Sequence, residues 1–243
     1  CGLAWKVAEA VMGERLSPSL RKSMLELAVL GTIADMMPRK EDNLNIIEEG
    51  TEAFKESWRP GIRAFLEKTP FSTMSVNRQM EQLIGILNVR EVTKGRPGSY
   101  WLLSCSSVKE AEKMMGRYIE ENRVRKDRIQ VLAETVRKNI SLKVENPLIF
   151  EGGSEFDFAL LGSVASIVSS EYRKPVFLYN KGEKESIGSV RAPSGYDTVK
   201  AMESCEELLT SFGGHPPASG FSIPTKNIQK FRRALAEYFS QYK

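Results

Sequence analysis

The sequence predicts an α/β protein in which a helical first part, one long helix and a smaller mixed α/β part follow one another. Three observations support this fold class. Helical periodicity dominates residues 1–67, a heptad-like apolar stripe runs through the middle of the chain, and short apolar runs alternate with helical segments in the last third. We place the domain boundaries at residues 1–105, 106–145 and 146–243.

The composition is that of a globular chain, with 41% hydrophobic residues among 243 and a pI near 8.9. Lys and Arg number 35 against 31 acidic residues, an excess too small to indicate nucleic-acid binding unless the charge gathers on one face. No apolar run approaches the roughly 18–20 residues that cross a bilayer, and no secretory leader is visible. We therefore expect a cytoplasmic protein that does not associate with membranes.

The chain starts at Cys1, in what reads as the middle of an amphipathic helix, so we expect it to be part of a longer protein. Cys1, Cys105 and Cys205 form no CxxC pair. This spacing predicts reduced thiols that are buried as small apolar side chains, and it argues against a disulfide or zinc framework.

Start and stop signals divide the helical first part. Ser17 and Pro18 suit the N-cap and first position of a helix that we expect to end at Pro38. Asp42 is the expected cap of the next helix, and residues 59–61, Arg-Pro-Gly, should interrupt it.

The middle of the chain predicts a short strand and then the long helix. Residues 100–103 follow a loop rich in glycine and proline and favour a strand. Ser107 and Glu110 match the S-x-x-E capping box that opens a helix. The expected seam of this helix alternates four and three residues apart: Ala111, Met115, Tyr118, Asn122, Arg125, Ile129, Leu132 and Val136.

The last third alternates strand and helix signals. The expected strands cover residues 148–150, 175–179, 186–192 and 219–223, and the expected helices cover residues 158–172, 198–212 and a closing segment capped by Thr225. This alternation predicts one compact α/β unit.

The segment FGGHPPASGFSIP, residues 212–224, holds the only histidine of the chain. Two successive glycines let a phosphate approach the backbone amides, and His215 beside them can donate a hydrogen bond. The alternative is a helix C-cap, with Gly213 in the left-handed conformation and a histidine without a functional role. The pattern leaves both interpretations open.

Ser189 and Arg191 lie two residues apart in a predicted strand, so their side chains share one face. A hydroxyl and a guanidinium together suit a phosphate. The alternative is the exposed polar face of an edge strand.

Asp35 lies in the apolar helical segment LGTIADMMP, where a buried carboxylate needs a partner. It can pair structurally or bind a metal, although one Asp cannot hold a divalent cation.

The basic run ENRVRKDR, residues 121–128, suits either a nucleic-acid backbone or a solvated helix face. Tyr100 and Trp101 can stack on bases or belong to the core.

Taken together, six segments resemble, in their order, the DHH phosphoesterases of the RecJ type, a family of single-strand-specific exonucleases. They are LGTIADMMP, RPGIRAFLE, ILNVREVTKGRPG, EENRVRKDR, GSVASIVSSEYRKPVFL with GSVRA, and FGGHPPASGF. The third segment, ILNVREVTKGRPG, resembles the corresponding segment of archaeal members of the family, which include a GINS-associated nuclease.

The resemblance implies a DHH domain that holds two Mn²⁺ or Mg²⁺ ions, a connecting helix, and a smaller DHH-associated domain that grips the end of single-stranded DNA or RNA. It implies that Asp35 ligates a metal and that Ser189 and Arg191 hold a terminal or scissile phosphate. It further implies substrate contacts from the glycine-rich loop and from a loop arginine: Gly213, Gly214, His215 and Arg96.

The sequence also departs from the family pattern. An insertion separates Asn88 from Gly95, and EFDFALLG lacks the Trp-His of bacterial relatives. The upstream motifs, including the DHH triplet that supplies most metal ligands, are not among the 243 residues, so we expect this chain to bind weakly and to cleave nothing. Two alternatives stay open for the parent protein: an inactive scaffold that binds GINS in a replication complex, and a DHH phosphatase that acts on nanoRNA.

Overall fold

The computed structural model describes residues 1–141 and 147–241, and their contacts divide the chain into two compact units, Cys1–Val124 and Arg125–Lys243. The division falls inside the long helix α7, Val108–Ser141. The three-part division expected from the sequence stays a prediction, and its boundary at residues 145 and 146 lies outside the described residues.

The first unit is helical, as predicted for residues 1–67. It contains α1 Gly2–Met12, α2 Pro18–Ala34, α3 Asp42–Lys55, α4 Pro60–Leu66, α5 Val76–Leu87, α6 Gly98–Ser104 and the first part of α7, with an antiparallel hairpin of β1 Val92–Thr93 and β2 Arg96–Pro97 between α5 and α6. Its main core gathers aliphatic and aromatic side chains of α2 to α7: Val29, Phe54, Ile62, Phe65, Leu83, Leu102, Met115 and Tyr118.

The start of α2 confirms the predicted cap, because Ser17 Oγ accepts the Leu20 N–H at 3.3 Å. The predicted end at Pro38 is wrong, since α2 ends at Ala34 with Asp35 as its C-cap. The prediction that Asp42 caps the next helix is also wrong by one residue, because Glu41 is the N-cap of α3.

Residues 100–103 belong to helix α6 and not to the strand that was predicted. A short apolar run fits either structure, and here packing decides. Gly98 opens α6 against Tyr118, where an added Cβ would lie 2.5 Å from the phenol oxygen. Gly61 leaves room for the backbone of Leu102, whose carbonyl oxygen would lie 2.2 Å from an added Cβ.

A partly buried arginine, Arg59, connects α2, α4 and α6. Arg59, at the break predicted in this segment, keeps only 15% of its side chain exposed, and its partner Glu26 keeps 2%. Arg59 Nε donates to Glu26 Oε1 at 2.7 Å, and its two terminal nitrogens donate to the Leu103 carbonyl at 2.8 Å and to Ser23 Oγ at 2.6 Å. This guanidinium is therefore satisfied by the fold itself.

The start of the long helix is confirmed as well: the Glu110 N–H donates to Ser107 Oγ at 3.3 Å, and α7 begins at Val108. Most of the predicted seam is buried, including the polar Asn122 at 7% exposure, whereas Leu132 and Arg125 are partly buried.

Among the described residues, no helix combines the length and the apolar character needed to cross a bilayer.

The second unit is a five-stranded sheet with helices on both faces. It contains the remainder of α7, then β3 Ile149–Gly153, α8 Phe158–Tyr172, β4 Val176–Asn180, β5 Glu185–Arg191, α9 Thr198–Glu203, β6 Ser211–His215, β7 Ala218–Pro224 and α10 Ile228–Ser240. The strand order is β3-β4-β5-β7-β6, with β3 parallel to β4 and every other pair antiparallel.

Alternate residues of the sheet point into two separate cores. Val176 and Leu178 of β4 pack with α7 and α8. Phe177 of β4 and Val190 of β5 pack with α9 and α10, where Phe231 is fully buried. The mixed α/β architecture predicted from the sequence is confirmed.

Two predictions for this unit are wrong. The helix expected over residues 198–212 ends at Glu203, and a short 3₁₀ turn follows at Glu206–Leu208. Gly213 is therefore not a helix C-cap, because it pairs with Gly220 in strand β6. Across the two units, the prediction of three buried cysteines holds only for Cys205 of the second unit, since Cys105 and Cys1 of the first unit are partly buried and exposed, respectively.

Candidate functional site

Strand β5 carries the two polar side chains that were expected to share one face. Ser189 pairs with Leu178 of β4, and Arg191 pairs with Val176. Because directly paired residues of antiparallel strands point to the same side, both polar side chains lie on the face that packs with α8. Arg191 Nη1 donates to Ser189 Oγ at 3.2 Å, which confirms the shared face. β5 is the middle strand, so the alternative of an exposed edge strand is wrong.

The strand register brings the glycine-histidine segment to this same face. The paired rows are Arg191–Ala218–His215 and Ser189–Gly220–Gly213. Because neighbouring strands lie about 4.8 Å apart, the backbones of Arg191 and His215 are separated by roughly 10 Å. Ala218 lies between Arg191 and His215, and Gly220 lies between Ser189 and Gly213, so this part of the face is nearly free of side chains. The result is a shallow floor with a guanidinium on one side and an imidazole on the other.

Arg191 is partly buried without an acidic partner. Its guanidinium donates to Ser189 Oγ and, at 2.8 Å, to the Val190 carbonyl, and it forms no ion pair within the described residues. Burial lowers the pKa of the Arg191 guanidinium below its ordinary value, since the charged form loses solvation. A positive charge in this position gains most from an anion that supplies the missing partner.

Gly162 of α8 makes room for this guanidinium. An added Cβ at Gly162 would lie 3.0 Å from Arg191 Nη2 and 3.3 Å from Ser189 Oγ. Any larger side chain at this helical position would displace the two groups.

A cavity of about 620 Å³ adjoins Arg191. The second part of α7 and the exposed side of α8 form its walls. Its lining consists of Lys126, Ile129, Gln130, Ala159, Gly162, Ser163, Ser166, Ile167 and Arg191.

The glycine-histidine segment is an exposed edge strand held in place by its turn. The Thr198 N–H and Oγ both donate to the Pro216 carbonyl, at 3.0 and 2.7 Å, and the Ala192 N–H donates to the Pro217 carbonyl at 3.0 Å. The turn is thus fixed directly to the residue that follows Arg191. His215 is exposed, so its ring is accessible to a ligand above the floor.

The two glycines differ in their surroundings. Gly214 has a φ of 132°, and an added Cβ there would lie 2.6 Å from the Ala218 carbonyl oxygen. Gly213 has no heavy atom within 4 Å of an added Cβ. The backbone conformation therefore requires a glycine at position 214, whereas Gly213 leaves open space on the face that carries Ser189 and Arg191.

Asp35 lies in the first unit, at the C-terminus of α2, and is exposed. The expectation of a buried carboxylate that needs a partner is therefore wrong. No cluster of three or more His, Cys, Asp or Glu residues that could hold a metal occurs within residues 1–141 and 147–241. The residues present do not form a complete site for Mn²⁺ or Mg²⁺.

Arg96 also lies in the first unit, on strand β2 of the hairpin. Its guanidinium stacks 4.5 Å from the ring centre of the exposed Tyr100, while Trp101 Nε1 donates to the Thr93 carbonyl at 2.9 Å. Trp101 thus fastens the hairpin to α6, and Tyr100 is not a core residue.

In the basic run on α7, two arginines form ion pairs with acidic residues and one lysine lines the cavity. Arg123 pairs with Glu120 at 2.7 Å, and Arg128 pairs with Asp157, the N-cap of α8, at 2.8 Å. Lys126 lines the cavity. Sequence reasoning missed Gly162 and Gln130; the signal available for Gly162 was a glycine inside a predicted helix.

Comparison with known proteins identifies one domain of the chain and several relatives. The DHHA1 domain model matches residues 145–241. The single-stranded-DNA-specific exonuclease RecJ of Bacillus subtilis is 26% identical over 97% of this chain and 30% of its own length. RecJ of Thermus thermophilus is 26% identical over 94% of this chain and 33% of its own length.

The fold agrees with this relationship. The crystal structure of Thermus thermophilus RecJ in complex with Mn²⁺ covers 99% of this chain with a TM-score of 0.83 at 24% identity, and the corresponding Mg²⁺ complex gives 0.81 at 23%. The chain spans about a third of those RecJ proteins, 35% and 37% of the two crystallised chains. Residues 145–241 are a DHHA1 domain, and the chain is homologous over most of its length to part of the RecJ single-stranded-DNA exonucleases.

Proposed function

We propose that this chain is part of a nuclease that acts on single-stranded DNA, and that its second unit holds a phosphate of the strand on the face formed by Ser189, Arg191 and the segment 213–215. The observation that carries the proposal is the partly buried Arg191, which has no carboxylate partner among the described residues. A phosphate oxygen would replace the missing acceptor and form charge-assisted hydrogen bonds with the guanidinium.

The rest of the face supports a phosphate ligand. Ser189 offers a hydroxyl beside the guanidinium, and His215 offers a ring N–H across a floor of Ala218 and Gly220. Gly213 leaves the backbone open to a ligand. These groups bind a phosphate without reading a base, as expected for a protein that acts on strands of any sequence.

Fluorescence anisotropy with short single-stranded oligonucleotides tests this function. The oligonucleotides carry a phosphate at the 5′ end, at the 3′ end or at neither end, and the proteins are the unaltered chain, Arg191→Ala and Arg233→Ala. Arg233 is an exposed arginine of α10, which packs on the opposite face of the sheet, and it controls for the loss of one positive charge.

We expect Arg191→Ala to weaken binding by about 10- to 100-fold, the effect of losing charge-assisted hydrogen bonds, and Arg233→Ala to change it little. Equal effects of both variants would show a nonspecific charge effect and would overturn the site. Absence of binding by the unaltered chain would instead favour the scaffold function.

The metal and the cellular setting belong to the same proposal. Asp35 is the residue that we propose as a ligand, but because it does not form a metal site with other described residues, we assign no chemical step to a metal. We further propose that the parent protein serves DNA repair or replication in the cytoplasm, and that residues 1–243 alone do not cleave. Release of nucleotides from a labelled strand by this chain with Mn²⁺ would contradict the last statement.

A further inference from the structure

Two buried hydroxyls lie behind the turn that carries His215. Thr198, the first residue of α9, is fully buried, and Ser219 of β7 is 6% exposed. Their Oγ atoms are 2.6 Å apart. Thr198 Oγ has a single hydrogen, which it donates to the Pro216 carbonyl, so Ser219 is the donor in the contact between the two hydroxyls. The hydrogen bonds therefore run in one direction, from Ser219 through Thr198 to Pro216, and each polarises the next.

The turn needs partners from outside because its centre has no backbone donors. Pro216 and Pro217 connect β6 to β7, and neither has an N–H. The Thr198 N–H and Oγ donate to the Pro216 carbonyl at 3.0 and 2.7 Å. The Ala192 N–H donates to the Pro217 carbonyl at 3.0 Å. The residues that follow Arg191 thus fix the turn relative to that arginine.

The hydroxyl pair does not reach the floor on which we place the phosphate. Ser219 lies between Ala218 and Gly220 in β7, and successive residues of a strand point to opposite faces. An added Cβ at Gly214 would lie 2.7 Å from the Ser219 Cα, so Ser219 lies directly against the glycine that precedes His215. An effect of the pair on binding therefore has to act through the position of the turn.

Stability alone does not require these hydroxyls. When both partners of a buried hydrogen bond are replaced by apolar side chains of the same shape, the stability of a protein changes little. The His215 ring is exposed, so its position depends on the turn and not on packing within a core.

We propose that Thr198 is a positioning residue for the phosphate face. Through the Pro216 carbonyl it sets the position of His215 relative to Arg191, and Ser219 orients the Thr198 hydroxyl. This inference rests on the proposed phosphate site, and it adds the group that holds the two sides of that site at a fixed separation.

A second hydroxyl pair in the same unit provides a matched control. The Oγ atoms of Ser186 and Thr225 are 2.9 Å apart, and Thr225 Oγ donates to the Gly182 carbonyl at 2.8 Å. Ser186 pairs with Ile223, at the opposite end of β7 from Ser219. The control pair thus has the same chemistry but lies away from the turn.

Fluorescence anisotropy with a phosphorylated single-stranded oligonucleotide compares the unaltered chain with three variants. They are Thr198→Val/Ser219→Ala, the control Ser186→Ala/Thr225→Val, and the conservative Thr198→Ser. We expect the first variant to bind about 3- to 10-fold more weakly, the effect of one net hydrogen bond, and the other two to bind like the unaltered chain. Urea denaturation should give the same midpoint for both double variants.

Three outcomes of this comparison would overturn the inference. An equal loss of affinity in the control variant would show a general effect on the sheet. A lower urea midpoint in Thr198→Val/Ser219→Ala alone would show that the pair serves stability. Weak binding by Thr198→Ser would show that the hydroxyl is not the group that matters.

NMR of the histidine ring tests whether the effect passes through His215. Because His215 is the only histidine of the chain, its ring signals need no further assignment. We expect them to shift when the oligonucleotide is added, and to shift less in Thr198→Val/Ser219→Ala. His215→Ala should weaken binding by itself and cause no further loss in that double variant, because both changes act through one ring.

Additive losses of affinity, or a full response of the His215 signals in the double variant, would overturn the positioning role and leave the phosphate site intact. If neither His215→Ala nor Arg191→Ala weakened binding, the proposed function itself would be overturned.

Discussion

Two partly buried arginines, one in each unit, differ in what surrounds them. Arg59 donates to the buried carboxylate of Glu26 as well as to a backbone carbonyl and a serine hydroxyl, and it joins three helices. Arg191 donates to one serine and one carbonyl, and within the described residues no carboxylate neutralises it. The fold itself supplies a carboxylate partner for the first arginine, whereas we propose that a ligand supplies the partner of the second.

The largest effect that the comparison predicts is on stability in the first unit. Arg59→Ala leaves Glu26 buried and unpaired, so we expect the free energy of unfolding to fall by about 3–5 kcal/mol. Urea denaturation measures the loss, with Arg63→Ala as the control, because the exposed Arg63–Glu67 pair should contribute at most about 1 kcal/mol. Similar losses for both variants would contradict the structural role of Arg59.

Arg191 should behave in the opposite way. Arg191→Met removes a desolvated charge and leaves no carboxylate unpaired, so we expect the free energy of unfolding to stay within about 1 kcal/mol of the unaltered chain. Oligonucleotide binding should weaken, and the slope of log affinity against log salt should fall by about 0.7, the value for one phosphate contact on a single strand. A loss of stability as large as that of Arg59→Ala would erase the contrast between the two arginines.

The integrity of the second unit in this variant can be checked with its buried thiol. Burial raises the pKa of Cys205 to about 11, so the reactive thiolate is scarce at neutral pH. A thiol reagent at pH 8 should therefore modify Cys205 slowly in the unaltered chain and equally slowly in Arg191→Met. Rapid modification in the variant alone would show that the core had opened.

Substitutions of Gly213 and Gly214 separate an effect on stability from an effect on binding. Gly214→Ala forces a Cβ against the Ala218 carbonyl at a positive φ, and we expect it to cost about 1–3 kcal/mol of unfolding free energy. The added Cβ of Gly213→Ala meets no atom, so the free energy of unfolding should change by less than about 1 kcal/mol. The new methyl group should nevertheless obstruct the proposed phosphate-binding face. Thermal unfolding and anisotropy on both variants separate the two roles, and equal behaviour of the variants would contradict them.

The smallest expected effect is at Gly162. Gly162→Ala raises helix propensity, so we expect stability to stay equal or to rise by up to about 1 kcal/mol. The new Cβ would lie 3.0 Å from Arg191 Nη2, and the displaced guanidinium should bind oligonucleotides a few-fold more weakly. Unchanged affinity would show that the position of Arg191 against α8 does not matter for binding.

Sequence signals predicted the local structure correctly where they act within one helical turn or one strand. The Ser17 cap, the Ser107 cap at the start of α7 and the shared face of Ser189 and Arg191 are all confirmed, because each depends on residues within a few positions. Residues 100–103 were predicted wrongly, since a short apolar run has no period that separates helix from strand. The helix predicted over residues 198–212 ends at Glu203, and residues 211 and 212 pair with β7 instead. The packing of Gly98 against Tyr118 decided the first of these.

The sequence by itself determined the fold class, the long helix, the family resemblance and the pairing of a serine with an arginine. Only the tertiary structure decided that His215 lies on the same face as Arg191, that α8 opens at Gly162 to admit the guanidinium, and that a cavity adjoins it. The physical reason is register: strands β5, β7 and β6 bring together residues 24 positions apart, from 191 to 215, through hydrogen bonds that no local pattern encodes.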